Sequence, residues 1–390
     1  MVVSITGDQA LVKKINMSLA LETIRVHAPV SRAQVAELTG LNKATVSNLV
    51  SDLLEQQLVT EIGPGQSSGG RKPLLLLFNR HAGHSIGIHL DVHSFSIALC
   101  DLSGQILFEK LNLRLLHSDP VQVTEQLSSV IQELIDLAPA SPYGVIGIGV
   151  GAPGMVDEQG CVLFAPNLGW EQIPLRQWLQ DRFTHIPVLV DNEANAGAIG
   201  EYEYGAGKHV QHLIYVSAGA GIGTGIMTRG EIFRGAMGYS GELGHMTIDV
   251  HGRKCSCGNR GCWELYASEK AILDPQKSLP FHTLYEAIQA AERDDADALH
   301  FLYQLGEYLG IGIANLVNGF NPDLIIIGNQ FAHLERWIKA AVLRSVKQRA
   351  LQSHQQNLNI VYAPLQQRST LLGAANQAIR SFVGRAKVTV

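Results

Sequence analysis

Between Lys14 and His27 the apolar residues Ile15, Leu19, Leu21, Ile24 and Val26 predict an amphipathic helix of approximate period, stopped by Pro29. Ser31 then predicts an N-cap for SRAQVAELTG, with Gln34 at the capping-box position and Gly40 as the turn residue. A third helix is predicted over NKATVSNLVSDLLEQQ, opened by Leu41 and Asn42, with Val46, Leu49, Leu53 and Leu54 facing inward. Two strand patterns follow, LVTEIG and PLLLLFN, around the loop GPGQSSGGRKP. Helix, glycine turn, helix and β-hairpin together form a winged helix-turn-helix. Its last helix would offer Lys43, Thr45, Ser47 and Asn48 to base edges and phosphates, with Ser31, Arg32 and Asn42 at the adjoining helix starts. The wing tip would bring Arg71 and Lys72 to a narrow minor groove, which attracts a bare guanidinium. An ordinary helical bundle with a polar surface is the alternative for this segment.

From residue 81 the pattern becomes α/β. HSIGIHLDVHSFSIALCD and Gly104 to Leu107 read as successive strands, Pro120 to Leu137 as a helix, and YGVIGIGVGAPG as a buried strand. The loop GAPGMVD, with Gly154, sits at that strand's end, where α/β folds usually place ligands. PNLGW supplies the amide of Asn167 and the aromatic face of Trp170. In PVLVDNEANAGAIGEYEYG, Asn192 and Glu193 stand where a strand crosses into a helix, a position that suits either a helix cap or a ligand contact. LIYVSAGAGIGTGIM is a strand entering glycine turns, residues 265–317 are mostly helical, and PDLIIIGN is a strand before a helix of about Ile338 to Gln352. The strand NIVYAP and the helix STLLGAANQAIRSFV close the chain. This divides it into a head, residues 1–80, a first lobe, 81–198 plus a C-terminal helix near 370–385, and a second lobe, 199–369.

At 390 residues the chain is long enough for two or three domains, each with its own core. No apolar run approaches the ~18 residues of a membrane span, and MVVSITGDQALVKK lacks a signal-peptide pattern. With few cysteines, most of them in a metal pattern, the expected compartment is the reducing cytoplasm, with no membrane association. The net charge of −5 conceals an asymmetry: residues 1–80 carry eight Lys/Arg against six Asp/Glu, so the body holds the acidic excess. That balance permits a head that binds nucleic acid.

The densest chemistry lies in GELGHMTIDVHGRKCSCGNRGCWE. Cys255, Cys257 and Cys262 with His245 make the donor set of a tetrahedral structural zinc site, which a disulfide between close neighbours would not explain. Cys100 and Cys161 read as isolated core thiols. Glu242 and Glu264 frame the knuckle, and a metal that fixed His245 and Cys262 would fix these acids too. Rigidly placed acids beside a histidine suit a polyol, whose hydroxyls need paired acceptors and donors.

GELGH followed by C-S-C-G-x-x-G-C-x-E resembles the signature of the ROK family of sugar kinases and sugar-responsive repressors. The resemblance implies a two-lobed hexokinase/actin-like fold whose last helix returns to the first lobe. It also implies structural zinc on His245, Cys255, Cys257 and Cys262. A sugar would lie in the cleft between the lobes, held by Gly154, Asn167, Asn192, Glu193, Glu242, His245 and Glu264. SRAQVAELTGLNKATVSNLV and GQSSGGRKP look like the head of the xylose-responsive repressors within that family. They imply a palindromic operator, a homodimer (with a tetramer as the alternative) and xylose or a related sugar as effector.

ATP use is not expected. The turn Asp91-Val92-His93-Ser94-Phe95 has no glycine where ROK kinases cradle phosphate, Gly219-Ala220-Gly221-Ile222-Gly223 lacks their threonine, and Gly328-Asn329-Gln330 is an eroded glycine turn. The alternatives are a ROK sugar kinase with an N-terminal DNA-binding extension, and a repressor released by a protein partner.

Overall fold

A computed structural model describes residues 9–64, 74–274 and 279–384. The head comprises α1 (Gln9–His27), β1 (Val30–Ser31), α2 (Arg32–Thr39), α3 (Lys43–Glu55), β2 (Val59–Pro64) and β3 (Leu74–Phe78). The capping box forms as the sequence predicts: Gln34 N donates to Ser31 Oγ at 3.3 Å, and Ser31 N donates to Gln34 Oε1 at 2.9 Å. Gly40 ends α2 at φ +70°, a conformation with no steric cost for glycine, and Asn42 caps α3 by accepting from Thr45 N at 2.8 Å. β3 pairs antiparallel with β2 and also with the two-residue β1, which is too short to leave a periodic trace.

Two helix faces differ from expectation. In α1 the buried face is Ala20, Leu21 and Ile24, whereas Ile15, Leu19 and Val26 are exposed. In α3 Val50 joins Val46, Leu49 and Leu53 in the core, while Leu54 is only half-buried. Positions 46, 49, 50 and 53 form one helical stripe, and Leu54, one turn on from Val50, lies at its edge near the end of α3.

The first lobe runs through β4 (His84–Leu90), β5 (Ser94–Asp101), β6 (Ile106–Arg114), α4 (Pro120–Leu137), β7 (Val145–Ala152), β8 (Met155–Val156), β9 (Val162–Ala165), β10 (Trp170–Ile173), α5 (Leu175–Arg182) and β11 (Val188–Asn192). Its main sheet has the order β11-β7-β4-β5-β6, with β4, β5 and β6 antiparallel and β7 and β11 parallel additions. The short β8, β9 and β10 form a separate sheet that the sequence pattern does not reveal. Cys100 lies in the core, where burial pushes its thiol up to about 12. Cys161, expected in the core as well, is half-exposed in the turn before β9.

Next comes α6 (Glu193–Tyr204), then the second lobe with β12 (His212–Ala218), β13 (Ile222–Thr228), β14 (Glu231–Ile232), α7 (Glu264–Ala267), α8 (Leu284–Ala291), α9 (Ala296–Phe320), β15 (Leu324–Gly328), α10 (Glu335–Arg349), α11 (Gln352–Gln355) and β16 (Asn359–Tyr362). Its sheet order, β14-β13-β12-β15-β16, repeats the first: an antiparallel meander of three, then two parallel strands. The same sheet plan is therefore built twice, once in each lobe. α10 starts three residues before the expected Ile338, and α12 (Arg368–Gly384) returns to lie across β4 and β7. The ends of β7, β11, β12 and β15 carry Gly154, Asn192, Gly219 and Asn329 into one cleft, the usual place for a ligand in open α/β sheets. Among the described residues no helix is long and apolar enough to cross a membrane.

Candidate functional site

The knuckle closes through two isolated β-bridges, Thr247 with Cys262 and Lys254 with Arg260. These bring the donor atoms of His245, Cys255, Cys257 and Cys262 within 4.8 Å of one another. The Cys257 and Cys262 sulfurs are 3.7 Å apart, as are Cys255 Sγ and His245 Nδ1. Metal–sulfur bonds of ~2.3 Å at tetrahedral angles separate two sulfurs by about 3.8 Å, whereas a disulfide requires ~2.05 Å. The spacing fits a metal ion and excludes a disulfide. Burial and the neighbouring thiols push the Cys262 thiol up, and a bound cation would favour its thiolate. The donor set can hold a structural metal ion.

His245 connects that centre to the cleft. Its Nδ1 faces Cys255, while Nε2 lies 4.0 Å from Glu242 Oε2. With one ring nitrogen on a metal, the other is left as a donor towards the cleft. Glu264 is almost fully buried: its Oε1 accepts from Lys270 Nζ at 2.7 Å and from the Cys255 thiol at 3.3 Å. Its Oε2 faces Gly221 across the cleft, where an added Cβ would stand only 3.0 Å away. Burial, with Glu264 and Glu193 as neighbours, pushes Glu242 up to about 7.

The cleft has a volume of about 260 Å³ and is lined by Gly154, Asn167, Asn192, Glu193, Glu242, His245 and Glu264, so the seven residues singled out in the sequence surround one space. Gly154 takes φ +87°, and a Cβ there would meet Phe164 O at 2.3 Å. Asn192 is the cap of α6: its Oδ1 accepts from Ala194 N at 2.8 Å and Asn195 N at 3.2 Å, and its Nδ2 donates to Gly154 O at 2.8 Å. One amide hydrogen is left for a ligand. Glu193 Oε1 accepts from Ser217 Oγ at 3.1 Å, and Oε2 lies 3.5 Å from His89 Nε2. Trp170 corrects an expectation. It is buried in the first lobe and donates from Nε1 to Ser118 O, so the aromatic wall of the cleft is Phe164.

His89 and Ser217 escaped the sequence reading. Each interrupts the apolar run within its strand, IGIHL in β4 and LIYVSA in β12, and that break in pattern was the available signal. Asp191 and Arg234 were missed too, because their pairing joins segments far apart in the chain.

In the head, Asn42, Lys43 and Asn48 are exposed and Thr45 is half-exposed. Ser31 is buried, with its hydroxyl engaged in the α2 cap, which removes it from the residues free to touch DNA. Arg32 and Ser47 engage each other: Arg32 Nη1 donates to Ser47 Oγ at 3.1 Å, and Nη2 donates to Glu61 Oε1 at 3.0 Å. That places Arg32 between α3 and the wing strand. Arg71 and Lys72 lie outside the described residues.

Comparison with known proteins decides the family. The ROK family model matches residues 85–381. The chain belongs to the ROK family. A ROK relative named xylose repressor, from Bacillus spizizenii, is 42% identical over 384 residues, 98% of this chain and 99% of its own. The solved ROK family transcriptional regulator described as a homolog of E. coli MLC protein matches at TM-score 0.81 and 28% identity, over 97% of this chain and 99% of that one. A ROK family glucokinase from Streptomyces griseus, in complex with glucose and AMPPNP, matches at TM-score 0.67 and 27% identity, over 76% of this chain and 99% of its own. The regulator accounts for nearly the whole of this ROK chain; the kinase covers a smaller share.

Proposed function

We propose that this ROK protein is a sugar-responsive transcriptional repressor. Residues 1–80 read a palindromic operator, two such heads being supplied by a homodimer, and the cleft takes xylose or a closely related sugar. The observation that carries this reading is one chain holding both a winged helix-turn-helix and a cleft lined by Asn192, Glu193, Glu242, His245 and Glu264. Asn167 and Gly154 complete the sugar contacts. Xylose is favoured by the near full-length similarity to the relative named xylose repressor. The metal is zinc, which a Cys₃His tetrahedron suits, and its role is structural because four protein ligands leave no open position. Lys43, Thr45, Asn48 and the wing residues Arg71 and Lys72 are the proposed DNA contacts, with Asn42 and Arg32 positioning the helix starts.

Phosphoryl transfer is disfavoured by the β4–β5 turn. Asp91 is kept and lines the cleft, but Val92 beside it carries a side chain where a phosphate cradle needs glycine and bare backbone N–H groups. Sugar binding shifts the lobes and changes the spacing of the two heads. A coupling of ~1–3 kcal/mol between sugar and DNA would alter operator occupancy 5–150-fold.

Thermal unfolding with a panel of pentoses and hexoses, each with and without Mg-ATP, tests the reading. A ligand at ~100 times its Kd raises stability by ~2.7 kcal/mol. Stabilisation by xylose that is indifferent to Mg-ATP supports the repressor. Stabilisation by Mg-ATP would revive the kinase, and silence across the panel would favour release by a protein partner.

A further inference from the structure

α6 begins in the cleft and ends at the head. Its cap Asn192 and first residue Glu193 line the cleft, while Glu203, its penultimate residue, lies 4.0 Å from Arg25 of α1 and 3.8 Å from Arg380 of α12. Twelve helical residues at 1.5 Å each span about 18 Å, so one short rigid rod reaches both places. α12 lies against it without cushioning: a Cβ on Gly373 would stand 1.7 Å from Ala196 O, and one on Gly200 would stand 1.9 Å from Ser369 O. Polar contacts fix the register. Thr370 Oγ1 donates to Glu193 O at 3.1 Å, Ser369 Oγ to Glu201 Oε1 at 2.7 Å, and Asn376 Nδ2 to Tyr204 Oη at 2.7 Å. Helices in backbone contact, pinned at three levels, move as one body.

The far end of this pair is embedded in the head. Ile379 and Val383 of α12 share a buried cluster with Leu21 and Ile24 of α1 and Leu53 of α3. Phe382 meets Tyr143 edge-on at 5.0 Å, and Tyr143 Oη donates to Gln56 O, the residue after α3. At the near end the Glu193 carboxylate touches both sheets, Ser217 on β12 and His89 on β4. A ligand hydroxyl engaging Glu193 joins this contact and therefore acts on the first residue of α6, where the lobes meet.

We infer that α6 and α12 form the rigid element that carries cleft occupancy to the DNA-reading helix, with Glu203 as the positioning residue that seats α1 against it. The inference rests on the sugar-responsive reading above. Arg25 also pairs with Glu22 within α1 at 2.7 Å, so removing the Glu203 charge tests the junction and leaves that helix's own pairing in place.

The experiment uses the full chain, D-xylose, and a DNA duplex selected by the wild-type protein from a random pool. Anisotropy gives the operator Kd with and without xylose, and calorimetry gives the xylose Kd of the DNA-free protein. Glu203→Gln should hold both the xylose Kd and the sugar-free operator Kd within about threefold, while the xylose effect on operator affinity falls by about fivefold or more. Arg25→Gln should behave alike, and the double variant should add little, as for two residues sharing one interaction. Arg25→Gln alone also serves should Glu203→Gln fail to fold. A full xylose effect in both variants overturns the inference, as does an effect lost only because xylose no longer binds. A wild-type protein that binds the duplex but ignores xylose sinks the sugar reading itself, and shows it before any variant is made.

Discussion

Arg234 grips Asp191 with both arms of its guanidinium: Nη1 donates to Oδ1 at 3.0 Å and Nη2 to Oδ2 at 2.6 Å. Arg234 follows β14 in the second lobe, and Asp191 is the penultimate residue of β11 in the first, one residue before the cap of α6. The pair therefore ties the second lobe to the first, one residue from the cleft-lining Asn192. Asp191 is buried and also accepts from Gln377 Nε2 of α12 and Asn195 Nδ2 of α6.

Arg234→Met should therefore weaken both stability and sugar binding. Breaking a fully buried pair costs ~3–5 kcal/mol, but the Arg234 side chain is 40% exposed, and screening reduces the expected loss to about 1–2 kcal/mol. Arg234→Lys cannot restore a two-pronged contact and should recover only part of it. Denaturant unfolding and xylose calorimetry read the two effects; an unchanged xylose Kd in Arg234→Met would remove the clamp from the ligand site.

Removing the metal should unsettle the cleft through His245. Cys257→Ser should lower metal content well below one ion per chain, depress the melting temperature and weaken xylose binding, since the knuckle places Glu242, His245 and Glu264 together. Elemental analysis and calorimetry on the same preparation check this. One tightly held ion per chain in the variant would contradict the ligand assignment.

What the sequence disclosed was local. Asp119 caps α4 and Pro120 stands in its first turn, so the bounds Pro120–Leu137 could be read directly. The capping box of Ser31 and Gln34, and the knuckle cysteines, likewise lie within a few residues of their partners. What stayed hidden was set by distance along the chain. Trp170 looked like a ligand platform because its hydrogen-bond partner, Ser118, lies on another segment. The contact of His89 with Glu193 needs β4 and α6 to meet, and the buried side of α1 is set by α2, α3 and β3 together with α12 from the opposite end of the chain.

Glu193→Gln should weaken xylose binding while sparing operator binding in the absence of sugar. A hydrogen bond to a charged group contributes ~1.5–3 kcal/mol, so the xylose Kd should rise roughly 10- to 100-fold. Glu193→Asp keeps the charge but draws it back by one methylene from Ser217 and His89, and should be intermediate. Equal xylose affinity in all three proteins would take Glu193 out of the sugar contacts.

In the head, two substitutions separate folding from DNA contact. Ser31 is buried and caps α2, so Ser31→Ala should cost ~1 kcal/mol of stability and leave the salt dependence of operator binding unchanged. Lys43 is exposed at the start of α3, where a phosphate contact releases a counterion. Lys43→Ala should therefore leave the melting temperature nearly unchanged, weaken operator binding, and reduce the slope of log K against log salt by about 1. Anisotropy titrations from low to moderate salt distinguish the two. A slope unchanged by Lys43→Ala would mean that α3 does not approach the DNA backbone with its N-terminal turn, and the docking of the whole head would have to be turned.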